Sequence, residues 1–155
     1  MSLSRQLAQR AAEHNPVRVG LIGGGKFGSM YLTQARLTKG IHVLGIADLN
    51  PDRLRDTLKR SGWPEAQTDS TSFDEALHSG RTFITDNAED LIKADGLDVL
   101  IDATGDPAAG IRHCLLAFDH GRDVVMVNVE ADALAGPLLA KRAEAAGVVY
   151  SMAWG

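Results

Sequence analysis

Cysteine and aromatic residues are scarce in this sequence of 155 residues. Its single cysteine, Cys114, cannot form an intramolecular disulfide or a zinc site built from several thiolates. Aromatic residues make up 5% of the chain, and Trp63 and Trp154 are too isolated to suggest a surface on which rings stack. The five histidines show no metal-ligand spacing. We therefore predict no metal site.

Long apolar runs and an excess of positive charge are also missing. No run approaches the roughly 18 apolar residues of a membrane helix. Sixteen basic residues against twenty acidic ones leave a net charge of −4, without the Lys/Arg cluster that nucleic acid requires. Residues 1–15 are polar, unlike a secretory signal. The sequence therefore predicts no membrane partner, no nucleic-acid partner and a cytoplasmic location.

What is present indicates a folded α/β domain, because 45% of the residues are hydrophobic and the length suits one domain. Six short apolar runs predict strands at 17–22, 41–47, 82–85, 99–101, 124–127 and 148–150. Helical stretches are predicted at 27–38, 51–60, 73–78, 88–94, 108–120 and 133–146. Continuous apolar strands are typical of parallel sheets. We expect one domain with a doubly wound, mostly parallel six-stranded sheet, the Rossmann fold.

The chain is expected to divide into an N-terminal helix within residues 1–15 and the Rossmann domain over residues 16–155. The helix is predicted at 4–14 and ends before Pro16, because proline disfavours helical geometry in the residue before it. At the other end, Pro137 suggests that the last helix starts late or bends.

Glycine is abundant, with sixteen residues, and the segment Gly23-Gly24-Gly25-Lys26-Phe27-Gly28 fits the pattern G-x-G-x-x-G. It follows a predicted strand and opens a predicted helix, the context in which this pattern binds a dinucleotide. The first glycine permits a tight turn, the second lets a pyrophosphate approach, and the third lets the helix pack closely. We predict cofactor contacts at Gly23, Gly25, Lys26, Phe27 and Gly28. The alternative is a glycine-rich turn without a ligand.

Asp48 ends the second strand, twenty residues after Gly28, where a carboxylate can bind ribose hydroxyls. This favours NAD, because a carboxylate repels the 2′-phosphate of NADP. Arg53 could accommodate that phosphate if Asp48 turned away. The alternative for Arg53 is a solvated charge in the first turn of a helix.

Further polar residues follow the fourth and fifth strands, at the edge where open α/β sheets bind ligands. Thr104 and Gly105 are predicted to lie near the nicotinamide end of the cofactor, and Asn128 is predicted to bind it as well. Glu130 is a candidate for catalysis or for one metal ligand. Asp132 is expected to cap the following helix.

Two histidines, His113 and His120, share one helix with Cys114. We expect both histidines to be surface or packing residues and Cys114 to be a small core residue.

Three segments, 17–28, 47–48 and 99–107, resemble the NAD(P)-binding domain of homoserine dehydrogenases and related oxidoreductases. Two others are more distinctive: 125–132, with Gly136-Pro137-Leu138, and the N-terminal 2–10. They resemble bacterial homoserine-dehydrogenase-like proteins that include the deoxyxylulose-phosphate-reductoisomerase-like enzymes. Together these resemblances cover essentially the whole chain.

The resemblance implies hydride transfer between a nicotinamide cofactor and a carbonyl or hydroxy substrate. The second group implies NADPH-dependent conversion of deoxyxylulose phosphate to methylerythritol phosphate, in isoprenoid precursor synthesis. The cofactor is therefore left as NADP or NAD. Both groups commonly carry a lysine after the asparagine that follows the fifth strand, where this chain has Val129, so the role of that lysine is not carried over.

In these families the substrate-binding and oligomerisation parts follow the cofactor domain. We therefore expect a C-terminal domain after this chain that binds the small-molecule substrate. This chain alone is expected to be inactive. The resemblance also allows a homo-oligomer. The alternative is a regulatory module that senses a dinucleotide without turnover. A sugar dehydrogenase of the glucose-fructose oxidoreductase kind ranks lower, because the chain lacks the Lys-Pro pair of that group.

Overall fold

The computed structural model describes residues 1–153, and Trp154 and Gly155 lie outside the described residues. The strands are β1 Val17–Ile22, β2 Ile41–Ala47, β3 Phe83–Thr85, β4 Val99–Asp102, β5 Asp123–Met126 and β6 Tyr150–Met152. The helices are α1 Leu3–Ala12, α2 Lys26–Ala35, α3 Pro51–Arg60, α4 Phe73–Ser79, α5 Ala88–Lys93, α6 Pro107–Asp119 and α7 Val129–Ala146. A 3₁₀ turn covers Glu65–Thr68.

The six strands form one parallel sheet in the order β3-β2-β1-β4-β5-β6. This is the order of the doubly wound Rossmann fold, so the predicted fold is confirmed. Ile22 pairs with Ala47 on one side and with Asp102 on the other. The carboxyl ends of β1, β2 and β4 therefore lie level with one another, at the point where the strand order reverses.

Helices cover both faces of the sheet, which explains the continuous apolar strands. On one face α2 and α3 bury residues such as Leu32 and Leu54 against β1 and β2. On the other face α5, α6 and α7 bury residues such as Ile92, Phe118 and Leu139 against β4 and β5. The two faces leave the carboxyl edge of the strands uncovered between them.

None of the helices within residues 1–153 has both the length and the apolar character of a membrane span.

The start of α7 differs from the prediction, because the helix begins at Val129 and contains Pro137 in its interior. Asn128 is the N-cap, and its side-chain oxygen accepts a hydrogen bond of 3.1 Å from the backbone nitrogen of Ala131. The expectation that Asp132 caps this helix is therefore wrong. This amide cap starts the helix four residues earlier than the pattern around Pro137 suggests.

A guanidinium group connects the two helical segments on either side of β4. Arg122, just before β5, donates hydrogen bonds to the carbonyl oxygens of Ile92, Ala94 and Leu97, at 3.0, 2.8 and 3.0 Å. These carbonyls belong to the end of α5 and the loop that leads into β4. Arg122 therefore fixes the approach of the chain to the central strand.

We predict that Arg122→Lys lowers the free energy of unfolding by about 2 kcal/mol, because the three N–H bonds of an ammonium radiate from one nitrogen and do not reach three carbonyls that three separate guanidinium nitrogens reach together. Urea unfolding followed by circular dichroism measures this change. Arg142→Lys, at an exposed position of α7, is the matched control and should change stability by less than about 0.5 kcal/mol. Equal stabilities of the two variants would contradict the prediction.

Candidate functional site

A cleft of about 520 Å³ opens at the carboxyl edge of the sheet, between β1 and β4. Its lining comes from the glycine turn 23–25, the segment from the end of β2 to Arg53, the start of α5, and the loop after β4 with two turns of α6. A second cavity, of about 670 Å³, lies near Trp63 and His42 and contains none of the predicted site residues. The cleft is therefore the candidate site.

Two of the motif glycines are required by close packing. Gly23 has a φ of +97°, and a Cβ on it would lie 2.7 Å from the carbonyl oxygen of Ala103. A Cβ on Gly28 would overlap the carbonyl oxygen of Gly23. The first glycine therefore makes the turn against the loop after β4, and the third lets α2 pack on that turn, as the motif predicts.

Gly25 is different, because a Cβ there would meet no atom within 4 Å. It is the N-cap of α2, in an extended conformation, and no side chain caps the first turn. The free N–H groups of a helix N-terminus bind anions. The structure therefore leaves open space at Gly25, beside the free N–H groups of α2.

The two residues between Gly25 and Gly28 do not line the cleft. Lys26 is exposed, and Phe27 packs its ring against the core beneath α2. Their backbone N–H groups belong to the first turn of α2. Contact between their side chains and a cofactor stays a prediction.

Asp48 lies in the cleft directly beside the glycine turn. One of its carboxylate oxygens accepts a hydrogen bond of 2.7 Å from the backbone nitrogen of Gly24, and the other accepts one of 2.8 Å from that of Asn50. Arg53, in the first turn of α3, lines the same cleft. Asp48, predicted to bind the ribose hydroxyls, and Arg53, the candidate for a 2′-phosphate, therefore line the same cleft.

The loop after β4 forms the opposite lip. Thr104 and Gly105 line the cleft, as the sequence suggests. Asn128 is 2% exposed and lies behind this loop. Its amide nitrogen donates to the carbonyl oxygen of Asp106 at 2.8 Å and to the Thr104 hydroxyl at 3.2 Å. Asn128 thus supports the lip, and its contact with a cofactor stays a prediction.

The two acidic residues in the first turn of α7 lie apart from the cleft. Glu130 is exposed and does not line it. Asp132 accepts a hydrogen bond of 2.6 Å from the Tyr150 hydroxyl, and burial together with this carboxylate raises the pKa of Tyr150. Within residues 1–153, no three side chains of the metal-binding types come together. A catalytic role for Glu130 stays a prediction.

The sequence reasoning missed a buried pair at the floor of the cleft. Asp102, fully buried at the end of β4, accepts a hydrogen bond of 2.7 Å from Nδ1 of His113 on α6. Its other oxygen accepts one of 3.0 Å from the backbone nitrogen of Thr104. His113 also lines the cleft, as do Arg112 and Asp86. The sequence offers one signal for this pair: Asp102 ends an apolar strand, and a buried carboxylate needs a partner.

Cys114, next to His113 on α6, is a core residue as predicted. It is 0% exposed, and burial, with the negative charge of Asp102 as a second cause, raises the pKa of its thiol to about 12. This thiol is therefore unreactive.

No protein-family model and no curated protein sequence matches the chain. Solved structures do. A homoserine dehydrogenase from Thiobacillus denitrificans is 23% identical, with a TM-score of 0.69, over 88% of this chain and 29% of its own. This chain therefore has the fold of the matching region of that homoserine dehydrogenase. The resemblance to homoserine dehydrogenases is thus confirmed at the level of the fold.

Two further structures were solved with their ligands. A biliverdin reductase from Synechocystis, in complex with biliverdin and NADP+, is 16% identical over 88% of this chain and 37% of its own, with a TM-score of 0.63. A scyllo-inositol dehydrogenase from Lactobacillus casei, with NAD(H) and scyllo-inositol bound, is 12% identical over 88% and 36%, with a TM-score of 0.60. The chain spans about a third of the length of these proteins.

We predict that Gly28→Ala lowers the free energy of unfolding by about 1–3 kcal/mol, because the new methyl group overlaps a backbone carbonyl that cannot move away. Helix propensity alone predicts the opposite sign, a gain of about 1 kcal/mol. Denaturant unfolding measures the difference. Gly105→Ala, where a Cβ has open space, is the control, and a stabilised Gly28→Ala variant would show that the described packing is wrong.

Proposed function

We propose that this domain binds a nicotinamide dinucleotide in the cleft between β1 and β4 and supports hydride transfer to or from a carbonyl or hydroxy substrate. The observation that carries the proposal is the glycine turn, with open space at Gly25 and a carboxylate fixed beside it at Asp48. Pyrophosphate fits the first feature and a ribose diol fits the second. The bound cofactor would supply the hydride chemistry, and the domain would bind and orient it.

Each predicted contact has a distinct part in this proposal. The backbone of residues 23–28 would approach the pyrophosphate at the start of α2. Asp48 would accept hydrogen bonds from the ribose hydroxyls. Thr104 and Gly105 would cover the cofactor from the opposite lip, where Asn128 holds their loop in place.

NAD suits the cleft better than NADP. Both carboxylate oxygens of Asp48 are held by backbone N–H groups. This keeps the negative charge where the 2′-phosphate of NADP would lie, and turning it away would break two hydrogen bonds. Arg53 is the group that would compensate for that phosphate, so NADP stays the alternative cofactor.

The rest of the reaction is proposed to need a further domain. This chain covers 29% to 37% of the proteins with which it shares its fold. We propose that a following C-terminal domain carries the substrate pocket and any homo-oligomer contacts. The proposed substrates are a homoserine-type compound or deoxyxylulose phosphate, the latter in isoprenoid precursor synthesis. The single, buried cysteine suits the reducing cytoplasm.

A regulatory module that binds the dinucleotide without turnover is the second candidate. Exposed Val129 stands where the similar enzymes carry a lysine, and Glu130 lies outside the cleft. Both features suit binding without catalysis. Reduction of a carbonyl substrate by the protein with its following domain would exclude this candidate, and cofactor binding without turnover would support it.

We predict that Gly25→Val weakens NAD binding by about 100-fold, because the side chain fills the space that the pyrophosphate needs. The fold should be retained, since Gly25 has an extended conformation and a Cβ there would meet no atom within 4 Å. Isothermal titration calorimetry measures affinity, and a thermal melt checks folding. Gln34→Val, at an exposed position of the same helix, should bind like the unsubstituted protein. Unchanged affinity in Gly25→Val would refute the proposed phosphate site.

We predict that Asp48→Ala lowers the preference for NAD over NADP by about tenfold or more, because it removes both the ribose acceptor and the charge that repels a 2′-phosphate. Titration with each dinucleotide measures the ratio of the two dissociation constants. Adding Arg53→Ala to this variant should weaken NADP binding again. A ratio that Asp48→Ala leaves unchanged would contradict the proposed ribose contact.

A further inference from the structure

The buried pair of Asp102 and His113 occupies a defined part of the cleft. The glycine turn and Asp48 account for one part of the lining, and the rest includes Asp86, two residues before α5, together with Arg112 and His113 on α6. The residues of this second part come from the segment before α5 and from α6. It has no assigned ligand group in the proposed function.

The carboxylate determines which nitrogen of the His113 ring carries the proton. An ionised carboxylate only accepts hydrogen bonds, so Nδ1, at 2.7 Å from Asp102, is the protonated nitrogen. In the neutral ring Nε2 then carries a lone pair. Nε2 has no hydrogen-bond partner within residues 1–153, yet it is not among the buried polar atoms without partners. It therefore reaches open space, and the cleft is the space that His113 lines.

The adenine base of a bound dinucleotide would enter this part of the cleft, an argument that rests on the proposed function. The carboxylate at the end of β2 binds the ribose of the adenosine half. The base is attached to that ribose and points away from the pyrophosphate at Gly25. Arg112 and His113 line the same cleft as Asp48.

We infer that the Asp102–His113 pair recognises the 6-amino group of the adenine base. That amino group donates hydrogen bonds, and Nε2 of the neutral imidazole offers a matching acceptor. Arg112 is exposed on the same turn of α6, where a guanidinium can stack on the face of a base. His113 is thus a residue that determines base specificity, and Asp102 is the positioning residue that keeps Nε2 an acceptor.

The first test compares NAD with nicotinamide hypoxanthine dinucleotide, in which a carbonyl replaces the 6-amino group. Titrations near pH 8.5 are above the ordinary range of imidazole protonation. The unsubstituted protein should bind the hypoxanthine compound roughly three- to tenfold more weakly, the value of one net hydrogen bond. Equal affinities would overturn the inference and leave the proposed function intact. Absence of binding by both compounds would instead refute the proposed function.

The second test uses Asp102→Asn, a substitution of nearly the same shape. Its oxygen would keep the hydrogen bond from the Thr104 backbone, which directs the amide NH₂ towards Nδ1 of His113. Nδ1 must then accept a hydrogen bond, so the ring proton moves to Nε2. The preference for NAD over the hypoxanthine compound should therefore disappear or reverse. If the pair had a purely structural role, Asp102→Asn would weaken the binding of both compounds equally. An unchanged ratio of the two affinities would overturn the inference.

Matched variants separate this pair from its neighbours. Asp86→Asn removes the other carboxylate of this part of the cleft, and it should leave the ratio of the two affinities unchanged. His120→Leu, at an exposed histidine just after the same helix, should do the same. If Asp86→Asn abolished the preference and Asp102→Asn did not, the acceptor would be Asp86 and the inference would be wrong.

Discussion

The contact between the glycine turn and the loop after β4 is the constraint on which the cleft depends. The α-carbon of Gly23 lies so close to the Ala103 carbonyl that no side chain fits between them, and α2 packs equally closely on Gly23 through Gly28. This contact joins β1, α2 and β4 into one rigid frame. The positions of Asp48 on one side and of the loop at Thr104 on the other are set relative to that frame.

The polar residues that follow the strands hold the loops as well as facing a ligand. Asp48 binds the backbone of Gly24, Asp102 binds that of Thr104, and Asn128 binds the Asp106 carbonyl while it caps α7. The ends of β2, β4 and β5 therefore each carry a side chain that orders a neighbouring segment. Such preorganisation lowers the entropy cost of binding, because the loops are already ordered.

The fold and the glycine turn could be predicted from the sequence because their signals are local. Six apolar runs, the spacing of the motif and the carboxylate at Asp48 are all visible along the chain. The start of α7 was not predicted, since Pro137 argued for a late start and the cap at Asn128 outweighed it. The pair of Asp102 and His113 was not predicted either, because its contact depends on how α6 packs against β4.

The buried state of Cys114 has a practical consequence for studying this protein in solution. The thiol is fully enclosed and its pKa is raised to about 12, so maleimides at neutral pH would find almost no thiolate to modify. The native chain behaves towards such reagents as though it had no cysteine at all. A fluorophore attached to one introduced surface cysteine would therefore report from that position alone, with the native sequence otherwise intact.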